Sequence, residues 1–208
     1  MPKPRVKSNR GGAIAAQKER ATATRAGLLA AARQLFAESG YHATATTEIV
    51  TRAAMTRGAL YHHFAGKEDL FAEVFRTVAQ ELVERSNSSV APMAGDLWAK
   101  VSAAFRQYLH LVATHEEYQR ILLIDGPAVL GWTRWRELQS EFVASGATAA
   151  LELLMDRSLL ARQPAEPLAY LIQAALNDAA LTIAHASPQA QTQAMAAFDF
   201  MLQGMRRL

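Results

Sequence analysis

The chain of 208 residues contains no cysteine. This excludes disulfide bonds, a thiolate nucleophile and a cysteine-based zinc site, and it suits a reducing compartment. Long hydrophobic runs are also missing, because Arg, Asp, Glu or Gln interrupts every apolar stretch well before the roughly 20 residues that a membrane span needs. The basic N-terminus has no apolar run typical of a signal peptide. We therefore expect a cytoplasmic protein with no membrane partner.

Catalytic patterns are absent as well. The sequence shows no Ser/His/Asp order, no phosphate-binding glycine loop and no paired-carboxylate spacing, so we assign no catalytic residues and no cofactor. Adjacent histidines on a helix project about 100° apart, which makes His62 and His63 poor common metal ligands. His110 and His115 are five residues apart rather than four. We therefore predict neither an enzyme nor a metal site.

Charge is distributed unevenly along the chain. Residues 1–67 carry a net charge of +8, whereas residues 68–208 carry −5. A basic head on a mildly acidic body is typical of nucleic-acid binding, because neutralising phosphates supplies affinity that does not depend on sequence. For the first 20 residues alone, a solubilising basic tail is an equally good interpretation.

Helical periodicity runs through nearly the whole chain, and no alternating strand pattern competes with it, so the predicted fold is all-α. Gly40 follows an apolar stripe where a left-handed helix cap is expected, which ends the first helix near Ser39. Thr44 is predicted to cap a second, short helix and Thr56 a third. A fourth, longer helix begins after Gly66.

The remaining apolar repeats predict further helices. One runs from about Leu97 to Val112, and a shorter apolar segment ends at Asp125-Gly126-Pro127. Others cover residues 132–154, 167–186 and 189–207. We divide the chain into a basic flexible arm (1–21), a helix-turn-helix DNA-binding domain (22–68) and a helical ligand-binding and dimerisation domain (69–208).

The stretch TRGALYHHFAGKEDLF, which begins at Thr56, fits the last helix of a helix-turn-helix, whose N-terminal residues meet base edges in the major groove. Arg57 can fork onto a guanine edge, Gly58 permits close backbone approach, and Ala59 can touch a thymine methyl group. Thr56 can reach a base or a phosphate. The phosphate contacts predicted here are Tyr61, His62 and Lys67.

The segment GYHATATTEIVTRAAMTRGALYHHFAGKEDLF resembles the DNA-binding signature of the tetracycline-repressor (TetR) family of bacterial transcription regulators. The resemblance covers roughly residues 22–82, and the rest of the chain agrees in helical layout and length. It departs at Ala54, where the family commonly has a turn glycine, so we expect a strained turn. Ala45 and Thr46 stand where the family often has Ser/Thr and an apolar residue.

The resemblance implies a cytoplasmic homodimer whose C-terminal domain binds a small-molecule effector and thereby changes its affinity for a double-stranded DNA operator. It also implies that Tyr61, His62, Lys67 and the residues around Thr44 to Thr46 hold phosphates. The function predicted is a repressor that a ligand releases from a palindromic operator. The alternative is a constitutive or architectural DNA-binding protein whose C-terminal bundle only dimerises.

Aromatic side chains in the second half are candidate ligand contacts. Trp132 and Trp135 lie three residues apart, near the Gly126-Pro127 break, with Phe142 two turns beyond Trp135. Phe105 and Tyr108 lie on an earlier helix that could face them. Either these residues form an aromatic core, or together they line a pocket for an apolar or aromatic ligand. Asp178, in an Ala-rich helix, is a satisfied buried or interface carboxylate or a ligand contact.

The last two predicted helices, residues 167–186 and 189–207, are the candidate dimer interface. Small side chains at Ala175, Ala179 and Ala180 would allow helices to approach closely. Apolar side chains that a monomer could not all cover are expected at Leu176, Ile183, Phe198, Met201 and Met205.

Overall fold

The computed structural model describes residues 10–90 and 95–207. These residues form helices joined by short turns, and their only β-type pairing is an isolated antiparallel bridge between Leu160 and Arg206. The all-α prediction is confirmed. No helix among the described residues is both long and apolar enough to cross a membrane.

The α-helices follow one another along the chain with two π-helical segments, Gln119–Asp125 and Ala144–Thr148. Their bounds are α1 Arg10–Ser39, α2 Thr46–Arg52, α3 Arg57–His63, α4 Lys67–Val90, α5 Leu97–Thr114, α6 Glu116–Tyr118, α7 Gly126–Val143, α8 Ala149–Asp156, α9 Ala165–Ala184 and α10 Pro188–Met205. The chain divides into two compact units, residues 1–73 and 74–208, and the division falls inside α4.

Helix α1 includes half of the segment that we expected to be a flexible arm. It begins at Arg10, so residues 10–21 are helical, whereas residues 1–9 lie outside the described part of the chain. Ala, Gln, Lys, Glu and Arg dominate residues 14–20 and are strong helix formers, which favours continuing the helix upstream. Helix α1 ends as predicted, with Gly40 at φ 79° and its N–H donating to the Phe36 carbonyl at 2.9 Å.

The prediction that Thr44 caps α2 is wrong. Ala45 is the N-cap residue, and its N–H donates to the Glu48 carboxylate at 2.8 Å. The buried Thr44 hydroxyl instead donates to the carbonyls of Gly40 at 2.8 Å and Leu35 at 3.3 Å. Both carbonyls lie at the C-terminal end of α1, so the hydroxyl stabilises the end of α1 rather than the start of α2.

The turn between α2 and α3 has the strain expected from the alanine at position 54. Ala54 has φ 53°, in the left-handed region that disfavours residues with a Cβ. The Ala54 N–H donates to the Thr51 carbonyl at 3.1 Å, and the Met55 N–H donates to the Val50 carbonyl at 2.8 Å. This pair of bonds is the Schellman motif of a helix C-terminus. Thr56 caps α3 as predicted, since its hydroxyl accepts from the Ala59 N–H at 3.1 Å.

The core of the first unit fixes α3 against α1 and the start of α4. Leu60 is buried on the inner side of α3, and Phe64 is buried at its C-cap. Phe36, Tyr41 and Phe71 form a cluster of three rings with centroids 5.2 to 5.7 Å apart. Arrangements of this kind stabilise beyond the apolar area that they bury.

In the second unit α5 packs on α9, and α9 packs on α10. The expected break at Gly126-Pro127 is wrong, because the π-helical turn from Gln119 runs directly into α7 and the backbone bends at Gly131 instead, with φ 70°. Pro127 therefore lies inside a continuous helical run, directly after a π-helical rather than an α-helical turn, and it donates no backbone hydrogen bond there. Helix α4 extends to Val90, and residues 91–94 lie outside the described part.

Candidate nucleic-acid interface and ligand cavity

Helices α2 and α3, with the turn at Ala54, form a helix-turn-helix whose second helix presents its N-terminus to solvent. Arg57 and Gly58 are exposed at the first two positions of α3, and Thr56 is exposed at its N-cap. Within the described residues, no ion pair or side-chain hydrogen bond occupies the Arg57 guanidinium. The guanidinium is therefore available to a guanine edge, whereas the Thr56 hydroxyl is already accepting within the cap.

One turn further along α3, Tyr61 and His62 are also exposed. The Tyr61 side chain has 51% of its surface accessible. The His62 ring contacts the ring of the partly buried His63, with centroids 5.1 Å apart. Ala59 is partly buried on the same helix. The structure thus distributes the predicted contacts of α3 along the whole helix, from its N-cap to its last turn.

The two threonines predicted at α2 differ in accessibility. Thr46 is the first residue of α2 and is partly exposed. Thr44 has 1% of its surface accessible and uses its hydroxyl on backbone carbonyls. This corrects the prediction for Thr44, because a hydroxyl enclosed at the end of α1 cannot reach a phosphate without breaking the loop.

Lys67 does more than place a cation at the start of α4. Its ammonium donates to the carbonyls of Tyr41 and Thr44, both at 2.9 Å, and lies over the Tyr41 ring. An ammonium has three N–H donors, so these two bonds leave one for an anion. Lys67 therefore ties the α1–α2 loop to α4, a role that its position in the sequence did not reveal.

The second unit contains a partly open cavity of about 200 Å³ lined by α4, α5, α7, α9 and the chain around the second π-helical segment. Its lining includes three of the predicted ligand contacts, Phe105, Tyr108 and Phe142. Small side chains at Ala104, Gly146, Ala147 and Ala150 leave the space. A smaller cavity of about 30 Å³ adjoins it and shares Tyr108, Phe142 and Gln173.

A polar cluster sits where the two cavities meet. The Tyr108 hydroxyl donates to the Asn177 side-chain oxygen at 3.1 Å, and the Gln173 amide donates to that hydroxyl at 2.8 Å. Gln173 also donates to Asn177 at 2.8 Å. Burial raises the pKa of Tyr108 to about 12, although the hydrogen bond from Gln173 opposes part of that effect. The phenol is therefore neutral at ordinary pH and offers a fixed polar group in an otherwise apolar space.

Three predicted ligand contacts lie outside these two cavities. Trp135 is buried in the core and its indole N–H donates to the Leu122 carbonyl at 3.0 Å, whereas Trp132 is 66% exposed. Their rings touch, with centroids 5.2 Å apart, but they do not meet Tyr108. Asp178 is exposed on α9, and its neighbour Asn177 is the buried residue. Successive side chains on a helix point about 100° apart, so Asn177 can be buried while Asp178 is exposed.

Comparison with known proteins identifies both units. The profile described as "Bacterial regulatory proteins, tetR family" matches residues 28–74, and "Tetracyclin repressor-like, C-terminal domain" matches residues 98–205. The second match alone covers more than half of the chain. The chain belongs to the tetR family. It is a transcription regulator of a family whose members are generally repressors.

Individual tetR-family proteins agree with this assignment. A solved tetR-family transcriptional regulator from Pectobacterium atrosepticum is 34% identical and superposes with a TM-score of 0.76. The superposition covers 91% of this chain and 97% of that regulator. The transposon Tn10 TetC protein of Escherichia coli is 26% identical over 147 residues, which are 69% of this chain and 72% of that protein. The regulator AcrR of Shigella flexneri is 33% identical over 106 residues, 51% of this chain and 49% of that protein.

The cavity of this tetR-family chain also contains residues that sequence reasoning missed. Lys100 and Gln173 are polar residues of the lining, and Asn177 holds Gln173 by accepting a hydrogen bond from it. From the sequence we considered mainly the apolar residues of these helices. A usable signal was present on α5, where Lys100, Ala104 and Tyr108 recur every four residues and therefore share a face. No group of three or more His, Asp or Glu that could hold a metal occurs among residues 10–90 and 95–207.

Proposed function

We propose that this tetR-family regulator binds a palindromic operator as a homodimer and that a small apolar ligand releases it. The observation that carries the proposal is the exposed N-terminus of α3, with the unoccupied guanidinium of Arg57 beside Gly58. Arginine forks onto the two acceptors of guanine in the major groove, and glycine lets the backbone approach. As a bacterial DNA-binding regulator, the protein acts in the cytoplasm.

Phosphate contacts would hold α3 in register. Tyr61 and His62 are exposed beyond Arg57, and Thr46 lies at the start of α2. Lys67 would contribute its remaining N–H, and it would also keep the α1–α2 loop in place through its two carbonyl bonds. Contacts to phosphates orient a protein on the duplex, whereas base contacts select the sequence.

The exposed apolar side chains of α9 and α10 support dimerisation through these helices. Phe200 is 81% exposed and Leu171 is 69% exposed, and Met201 lies next to Phe200. Several residues that we predicted for the interface belong to the core of the single chain instead. These are Leu176, Ala180, Ile183 and Phe198, which are buried within it. A twofold axis across the outer side of α9 and α10 would cover the exposed residues with their own copies.

Release by a ligand would act through α4. Val83, Ser86 and Asn87 of this helix line the larger cavity, and Phe75, Ala79 and Leu82 line the smaller one. The same helix begins at Lys67 in the first unit. A ligand that shifts α4 in each subunit would change the separation of the two α3 helices, which must match about one DNA turn, roughly 34 Å.

The cavity favours this function over a constitutive or architectural DNA-binding protein, because a bundle that only dimerises needs no internal space. Catalysis is not part of the proposal, since the polar side chains of the cavity form no nucleophile-base pair. The coupling between ligand and DNA would be reciprocal, typically about 1 to 3 kcal/mol.

The proposal is tested by selecting operators from random duplex DNA with the purified protein. We expect a palindrome, bound as a dimer in sedimentation. A compound screen then looks for ligands that release the selected DNA. Recovery of an asymmetric, non-repeated site would overturn the dimeric mode, and a cavity ligand with equal affinity in the presence and absence of operator would overturn the switch.

A further inference from the structure

We infer that the ligand of the α4–α5–α9 cavity is a small apolar monoanion, a monocarboxylate, whose charged group pairs with Lys100. This inference rests on the proposed function, because it names the ligand class of the same cavity. Lys100 is partly buried and lies in the cavity lining. Among the described residues, no Asp or Glu lines either cavity, and Lys100 is the one charged residue of the lining.

Lys100 lacks an internal partner among the described residues. The carboxylate nearest to it in sequence, Asp96, lies one turn earlier on the same helix face, where an i,i+4 pair would be expected. Asp96 is already engaged, because it accepts from the Ala99 N–H at 2.8 Å and from the Arg206 guanidinium at 3.0 Å. The Lys100 ammonium forms no ion pair or side-chain hydrogen bond within residues 10–90 and 95–207.

An unpaired ammonium beside an apolar space favours an anion over a neutral ligand. Partial burial strengthens the attraction between opposite charges relative to water, since the local dielectric constant is lower. A cationic ligand would be repelled by Lys100, and the described residues of the lining offer it no carboxylate. The Tyr108 phenol does not change this balance, since it remains neutral.

The spacing along α5 sets the length of the ligand. Lys100 and Tyr108 are eight residues apart, which corresponds to a rise of about 12 Å. Between them the lining is apolar, with Val101, Ala104 and Phe105 on α5. The occupant that fits is an apolar body, aromatic or aliphatic, with its carboxylate at the Lys100 end and its other end near the cluster of Tyr108 and Gln173.

The test compares acids with their uncharged amides by titration calorimetry on the full-length protein. The probes are 4-phenylbutyrate with 4-phenylbutyramide for an aromatic body, and octanoate with octanamide for an aliphatic one. We expect at least one acid to bind at least tenfold more tightly than its amide. The better of the two acids distinguishes an aromatic from an aliphatic ligand.

Three variants locate the charge effect. Lys100→Met should abolish the preference for the acid, while Lys100→Arg should retain it. Arg157→Met removes one exposed positive charge from the same unit and should leave the preference unchanged. Ala104→Leu fills the cavity and should abolish binding of the acid and the amide alike, which shows that the probes bind there. Circular dichroism melting confirms that each variant is folded.

Equal affinity for acid and amide, tighter binding of the amides, or no binding of either acid overturns the inference. An acid preference that survives in Lys100→Met overturns the role of Lys100. Failure of this inference can be distinguished from failure of the proposed function. If a neutral cavity ligand releases the operator, the proposed function is supported and the ligand class inferred here is wrong. If an acid binds equally tightly with and without operator, the proposed switch is wrong and the inferred ligand class is supported.

Discussion

The Lys67 ammonium lies 4.0 Å from the centroid of the Tyr41 ring and donates to the Tyr41 carbonyl at 2.9 Å. Its second bond, to the Thr44 carbonyl, makes Lys67 a tie between α4 and the loop after α1. Lys67→Met removes both charge-assisted bonds and should lower the free energy of unfolding by about 1.5 to 3 kcal/mol. Urea denaturation measures this, and Lys18→Met, at an exposed position of α1, should change it little. Equal effects of the two variants would contradict the role of Lys67.

Ala54 holds a left-handed backbone conformation at the end of α2. Ala54→Gly removes a steric cost of about 1 to 2 kcal/mol and adds an unfolded-state entropy of about 0.5 to 1 kcal/mol. We expect a net stabilisation of roughly 0.5 to 1 kcal/mol, visible as a higher melting temperature. Ala53→Gly is the matched control, because Ala53 has φ −75° and should lose stability. A loss in both variants would show that the turn carries no strain.

Arg57→Ala tests base reading by α3. If the guanidinium forks onto a guanine, its loss should cost about 1 to 3 kcal/mol at one position of each half-site and relax the preference there. Tyr61→Phe should instead weaken binding to all sequences similarly, since a phosphate contact carries no sequence information. Gel-shift titration against a library of single-base operator variants measures both. An unchanged base preference in Arg57→Ala would remove the assignment.

Phe200→Glu tests the proposed dimer interface on α9 and α10. A charge in place of an 81% exposed ring should be tolerated by the single chain but not inside an apolar interface. We expect monomers in sedimentation at concentrations where the parent is dimeric. Leu153→Glu, on the exposed part of α8 and outside the proposed face, should remain dimeric. If Phe200→Glu keeps the parent mass, the interface lies elsewhere.

Tyr108 should make the protein sensitive to high pH. Its pKa is about 12 in the folded chain, against an ordinary value of 10.0, so the unfolded chain releases this proton first. The stability linked to Tyr108 is therefore complete below pH 10 and is lost as the pH rises from about 10 to 12, by about 1.4 kcal/mol per pH unit. Between pH 10 and 11, denaturation of Tyr108→Phe should show a shallower decline than the parent. Parallel declines would mean that the phenol ionises as freely when folded as when unfolded.

The sequence alone determined the helical architecture and the exposed end of α3. Gly40 and Thr56 act on backbone groups within four residues of themselves, so the ends of α1 and the start of α3 could be read locally. The strain at Ala54 was predicted from the resemblance to the tetR family, which commonly has a glycine at this turn. The spacing of four residues between Leu60 and Phe64 is typical of one helix face, and both are buried. Arg57 and Tyr61 were predicted from the helix-turn-helix interpretation, and both are exposed.

Only the tertiary structure decided the partners of polar side chains and the place of the cavity. Lys67 reaches a carbonyl 26 residues away in sequence, and Thr44 turns back to Leu35, because packing brings the loop between α1 and α2 to the start of α4. The cavity forms because small side chains from segments far apart in the sequence lie close together in the fold. A local sequence pattern does not predict which distant segments will meet. A rotation of about 100° per residue likewise buries Asn177 and exposes Asp178, a difference that the three-dimensional position of α9 decides.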